Sequence, residues 1–109
     1  MYFMQIREEY IIFKDTNTPL DYEIDVLHSD MLKMQIVGEG NCEIEVLAKL
    51  TKSKDYSPIA IINDNTYDMM KSITTTGLYT VSTTGYKKVK ISVKQVVNTL
   101  QCTAVEVDE

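Results

Sequence analysis

The chain contains no tryptophan, one histidine, two cysteines, two prolines and four glycines in 109 residues, and each scarcity removes a class of explanation. The single histidine, His28, lacks the companions that zinc sites and nucleophilic triads require. Cys42 and Cys102 stand far apart with no CxxC spacing, so no zinc signature is present. Cys42 lies between Asn41 and Glu43, without the basic neighbour that activates a thiol. No segment reaches the roughly 18 uninterrupted apolar residues of a membrane helix. Arg7, Glu8 and Glu9 fall where a signal peptide would place its apolar centre, and no basic start precedes them. The expectation is an unprocessed N-terminus made in a cytoplasm, with both cysteines as buried hydrophobes and not a disulfide. The net charge of −5 disfavours nonspecific binding to nucleic acid, whose phosphates need a basic surface.

What is present is an ordinary globular composition, 44% hydrophobic and 25% charged, long enough for one domain with its own core. Period two dominates it. Tyr22, Ile24 and Val26 alternate with Asp21, Glu23 and Asp25; Leu32, Met34 and Ile36 share one side of the next run. Cys42, Ile44, Val46, Ala48 and Leu50 then oppose Glu43, Glu45 and Lys49. Gly38-Glu39-Gly40-Asn41 reads as the turn of a hairpin between these two runs. Ile59 to Ile62 reads as a buried strand, or one near a sheet edge because Pro58 precedes it. Residues 66–73 are ambiguous, since Tyr67, Met69, Met70 and Ile73 also suit a single helical turn. Two echoing Thr-Thr-Gly stretches, ending at Gly77 and Gly85, each introduce a strand. Val89, Ile91 and Val93 alternate with Lys88, Lys90, Ser92 and Lys94, and TLQCTAVEV forms a last strand. Eight or nine short strands without a helical pattern predict an all-β, antiparallel sandwich, jelly-roll-like, or a small barrel. The sandwich is expected over residues 21–109. Residues 1–20 break period two at Met4, Ile6, Ile11, Ile12 and Phe13, and read as an edge strand or as an assembly arm.

Few residues offer chemistry. The parity of Tyr22, Ile24 and Val26 places His28 on the apolar face or at its mouth, in a packing role. Asp64, within Asn63-Asp64-Asn65-Thr66, reads as a turn, because the glycine and terminal glutamate of a calcium loop are absent. Asp21, Glu23 and Asp25 form a solvated face. Lys87, Lys88, Lys90 and Lys94 lack arginine and interleaved aromatics, so cross-strand pairing with acids such as Glu43 and Glu45 is expected in place of nucleic-acid binding. Tyr56, Tyr67, Tyr79 and Tyr86 sit at strand starts or in loops, where a ring can stack on a sugar, anchor a protein contact, or simply cap the core. They are the binding candidates. No catalytic residue, metal site or cofactor is expected.

Several pieces follow a familiar order. Leu32 to Val37 and Gly38 to Leu50 supply alternating runs around a glycine turn, followed by Asp55-Tyr56-Ser57-Pro58-Ile59 through Asn63. Gly77-Leu78-Tyr79-Thr80-Val81 comes next, then Gly85-Tyr86-Lys87-Lys88-Val89-Lys90-Ile91-Ser92-Val93. From about Leu32 to Val107 the chain resembles a β-sandwich domain of small bacteriophage and prophage virion proteins. It departs from that pattern at Asp55-Tyr56, where a glycine and then a tryptophan are more usual. The resemblance implies a non-enzymatic component of a virion or related particle (head decoration, tail, baseplate or fibre). Its implied partners are further copies of itself and other virion proteins, with no nucleic acid and no membrane. The alternative expectation is a carbohydrate-binding module or adhesion domain that contacts cell-surface polysaccharide through the tyrosines.

Overall fold

The computed structural model describes residues 5–108, and these form an all-β, entirely antiparallel, sandwich-like fold. Eight strands follow in chain order: β1 (Gln5–Lys14), β2 (Leu20–Asp25), β3 (Met31–Lys49), β4 (Ser57–Pro58), β5 (Ile61–Asn63), β6 (Met69–Met70), β7 (Gly77–Ser82) and β8 (Lys88–Asp108). The main order across the sheet is β1-β8-β3-β7-β5-β6, with β2 added to β8 and β4 to β3.

The expected class holds, but not the uniformly short strands. β3 and β8 have 19 and 21 residues and pair from Met31↔Val107 to Lys49↔Lys88. At about 3.4 Å per residue, β8 would be roughly 70 Å long if straight, yet the longest axis of the molecule is 38 Å. The pair therefore bends, and the bend lies where the sequence suggested a hairpin turn. Gly38 (φ 111°) and Gly40 (φ 134°) face Leu100 and Asn98, and Asn98 itself is left-handed (φ 73°). An added Cβ would lie 2.1 Å from the Thr99 carbonyl oxygen at Gly38 and 1.9 Å from that of Val97 at Gly40. Only glycine allows the two backbones to approach so closely. The corner turns one hairpin into two layers: the first half of β3 and second half of β8 join β1, β7, β5 and β6, while their other halves join β2 and β4.

Both layers point the same face inward. On β3 the buried side chains are Leu32, Met34, Ile36, Cys42, Ile44, Val46 and Ala48, one parity throughout. On β8 the parity changes, from Val89, Ile91 and Val93 to Val96, Leu100, Cys102 and Ala104. A bulge between Glu43 and Ile44 of β3 sets this change, opposing two steps of β8 to one of β3. Ile24, Val26, Tyr79, Val81, Ile61 and Ile73 complete a single core between the layers.

Residues 5–14 are the edge strand β1, laid along the second half of β8. Register shifts at Ile6/Glu8 and Ile11/Phe13 account for the broken period two, and put the neighbours Ile12 and Phe13 together in the core. Residues 1–4 of the expected arm, Met4 included, and Glu109 lie outside the described residues. Met69–Met70 is a strand paired with β5, not a helical turn. Gly77 opens β7, as expected; Gly85 sits instead inside the β7–β8 turn, where the Tyr86 N–H donates to the Thr83 carbonyl (3.1 Å).

Candidate functional site

The four candidate tyrosines do not converge. Tyr79 shares the inward parity of Val81 on β7 and is 1% exposed, so its ring is closed to any ligand. Its hydroxyl donates to the Thr75 carbonyl (2.9 Å) and lies 3.3 Å from the Thr75 hydroxyl, which satisfies it inside the core. Tyr86 is half-buried against that core. Tyr67 occupies the turn between β5 and β6 with a left-handed backbone (φ 62°) and is 80% exposed.

Tyr56, just before β4, has the most developed surroundings. It lies on the outer face where β2, β8 and β3 run side by side, with Glu23, Lys90 and Leu47 in one register row. Its hydroxyl donates to Glu23 Oε1 (3.0 Å). The Nζ atoms of Lys90 and Lys49 lie 4.6 and 5.1 Å from the ring centroid, within cation–π range. Desolvation, then the Glu23 carboxylate, pushes the phenol up to about 12. The lysine stripe is paired as the sequence suggested: Lys94 with Glu45 (3.4 Å), and Lys87 with Asp25 (3.3 Å) on the acidic strand β2. The Leu27 N–H (3.2 Å) and then Lys87 hold the Asp25 carboxyl below the usual carboxylate range.

A second assembly was not visible in the motifs. Glu106 follows Cys102 and Ala104 in the inward parity of β8, so a carboxylate occupies a core position and is only 5% exposed. The hydroxyls of Ser29 and Tyr10 donate to its two oxygens, each at 3.0 Å. Burial and then this bond raise the Tyr10 phenol far above its ordinary value. Glu106 and Ser29 border a cleft of about 500 Å³ shared with Ile6, Glu8, Asp25, Leu27 and His28. His28 is exposed at this cleft and not packed on the apolar face, because the chain turns after the buried Val26, where the Ser29 N–H donates to the Val26 carbonyl (3.0 Å), and the parity of β2 is lost. The one sequence signal for Glu106 was its shared parity with Cys102 and Ala104; Val105 and Val107 beside it made the opposite face look equally apolar.

The other polar candidates are structural. Asn63 Oδ1 accepts the N–H groups of Asn65 (2.9 Å) and Thr66 (3.3 Å), an Asx turn. Asp64 accepts the Thr80 hydroxyl (2.6 Å) and pairs with Lys33 (3.3 Å). Among the described residues no group of three or more His, Cys, Asp or Glu side chains is arranged to hold a metal. Cys42 and Cys102 are buried and unbridged, and burial drives the Cys102 thiol up to about 12.

No family model matches the chain, and no curated protein matches it either. Solved structures do. The SPBc2 prophage-derived protein YomS superposes with a TM-score of 0.83 at 18% identity, over 99% of this chain and 97% of that one. The PBSX exported protein XepA superposes with a TM-score of 0.85 at 12% identity, over 99% of this chain and 39% of XepA. At such identities the likeness is one of fold: the chain has the architecture of YomS along nearly its whole length, and of about two fifths of XepA.

Proposed function

We propose that this protein is a structural component of a phage, prophage or related particle, acting by self-association and protein–protein contact and not by catalysis. The observation that supports this reading is the fold held in common, end to end, with a prophage-derived protein. XepA adds that the same fold also occurs as part of a longer chain, as expected of a module that works among other modules. Head decoration, tail, baseplate and fibre are the positions open to it, and the virion is its proposed location. The side chains fit a part that is built into something: the cleft hydroxyls are satisfied by Glu106, Lys87 and Lys94 are paired with acids, and the exposed apolar residues Ile6, Ile11, Tyr67 and Met69 are left for contacts.

Light scattering on the purified chain tests the proposal. A discrete multimer that persists on dilution is expected. A monomer at every accessible concentration would remove the self-assembly reading. Binding to a cell-wall polysaccharide, lost on Tyr56→Ala or Tyr67→Ala, would then establish the adhesion alternative.

A further inference from the structure

On the side away from β1 and β2 the chain crosses between the layers twice: residues 59–60 carry it from β4 to β5, and residues 71–73 carry it from β6 back to β3, where Ile73 and Ile44 exchange backbone bonds (2.8 and 3.0 Å). Between the two crossings is an apolar groove of about 570 Å³ lined by Pro58, Ile59 and Ala60 on one bank and Met69, Met70 and Lys71 on the other. Met69 is 73% exposed. β6 pairs only with β5, so its outer backbone edge is open among the described residues. An apolar groove beside an unpaired strand edge suits an extended apolar segment, which adds backbone bonds along the edge and places alternate side chains in the groove.

Residues 1–4 of this chain supply such a segment in sequence: Met1, Tyr2, Phe3 and Met4, apolar throughout and leading directly into β1. They cannot serve their own groove. β1 and β6 end the strand order on opposite sides, five intervals apart, or roughly 24 Å at about 4.8 Å per interval. Four residues span at most about 14 Å. The start of β1 faces the cleft beside Asp25 and His28, on the β2 side, whereas the groove belongs to the β4 side. Charge agrees with a contact between copies, since exposed Glu8 and Glu9 follow the segment and exposed Lys71 ends the groove.

We propose that the N-terminal segment of one copy, Tyr2 and Phe3 foremost, docks in the groove between β4 and β6 of the next copy. This rests on the self-assembly reading above and names its contact. Such a junction is head-to-tail: each copy gives a segment and receives one, so copies close into a ring or continue as a filament.

The test uses the full chain in three forms: wild type, Tyr2→Asp with Phe3→Asp, and Met69→Asp, each checked for an unchanged thermal melt and then followed by light scattering. Each altered form is expected to self-associate about a hundredfold more weakly or worse, as when an aromatic anchor is lost from an interface. Mixing the two altered forms restores one intact segment and one intact groove, so a capped dimer appears and nothing larger. Wild-type-like assembly by either altered form, or no dimer in the mixture, overturns the segment-in-groove contact while self-assembly stands on another surface. A wild type that stays monomeric overturns both.

Discussion

Substituting Gly38 by alanine tests the corner on which the two-layer arrangement depends. The methyl group would have to share space with the Thr99 carbonyl oxygen, 2.1 Å from the ideal Cβ position, and the backbone would be held at φ 111°. A non-glycine residue in this region costs about 1–3 kcal/mol, and overpacking against a group that cannot swing aside costs about 1–3 kcal/mol more. Thr99 is such a group, because it lies in the continuous pairing of β8 with β3. The expected loss is about 4 kcal/mol, and at 4–8 °C per kcal/mol for a domain near this size the melting temperature falls by roughly 15–30 °C. Gly40→Ala, with a contact of 1.9 Å to the Val97 oxygen, should behave alike. Gly85→Ala is the control: its φ is 90° but no atom lies within 4 Å of the added Cβ, so only the strain remains and about half the loss is expected. Calorimetry or circular dichroism melts measure all three. If Gly38→Ala melts within about 5 °C of wild type, or no lower than Gly85→Ala, the close approach of the strands is not what requires glycine there.

Three further outcomes are expected. Glu106→Ala strips the partner from the hydroxyls of Tyr10 and Ser29 and should cost about 2–4 kcal/mol in urea unfolding, more than an exposed acid such as Glu8; equal effects would refute a buried role. Tyr56 should ionise near pH 12, visible as the part of the 295 nm titration that Tyr56→Phe removes. Because its folded pKa lies above the unfolded value of 10.0, the stability it contributes is full below pH 10 and declines as pH rises toward 12. That stability should decline less steeply in Tyr56→Phe across the same window. Both thiols should resist an aromatic disulfide reagent at pH 8 until the protein unfolds, since both are buried and their pKa values are raised; a fast-reacting thiol in the native protein would contradict the packing.

Much of the fold is legible because alternation is local. Each step along a strand sends the next side chain to the opposite face, so Ile24 of β2, Val26 just after it, and Cys42, Ile44, Val46 and Ala48 of β3 can be assigned inward from the alternation alone, and they are buried. Leu50 fails only because β3 stops at Lys49. The N-terminal strand was ambiguous because its two register shifts break the alternation that would reveal it. Tyr79 was indistinguishable from the exposed Tyr67 as a loop-side aromatic until pairing with β3 fixed which side of β7 faces the core.

The sequence by itself determined the all-β class and the inward face of most strands, since these depend on neighbouring residues and on composition. Tertiary structure decided the rest. Gly38 and Gly40 have the same backbone freedom in a hairpin turn as in a bent strand, and only the partner strand, with Asn98 opposite Gly40, distinguishes the two. Whether Glu106 meets hydroxyls or water depends on Tyr10 and Ser29, which are distant in the chain and reach it only in the folded sheet, and whether a groove lies between β4 and β6 depends on how these short strands seat on β3 and β5.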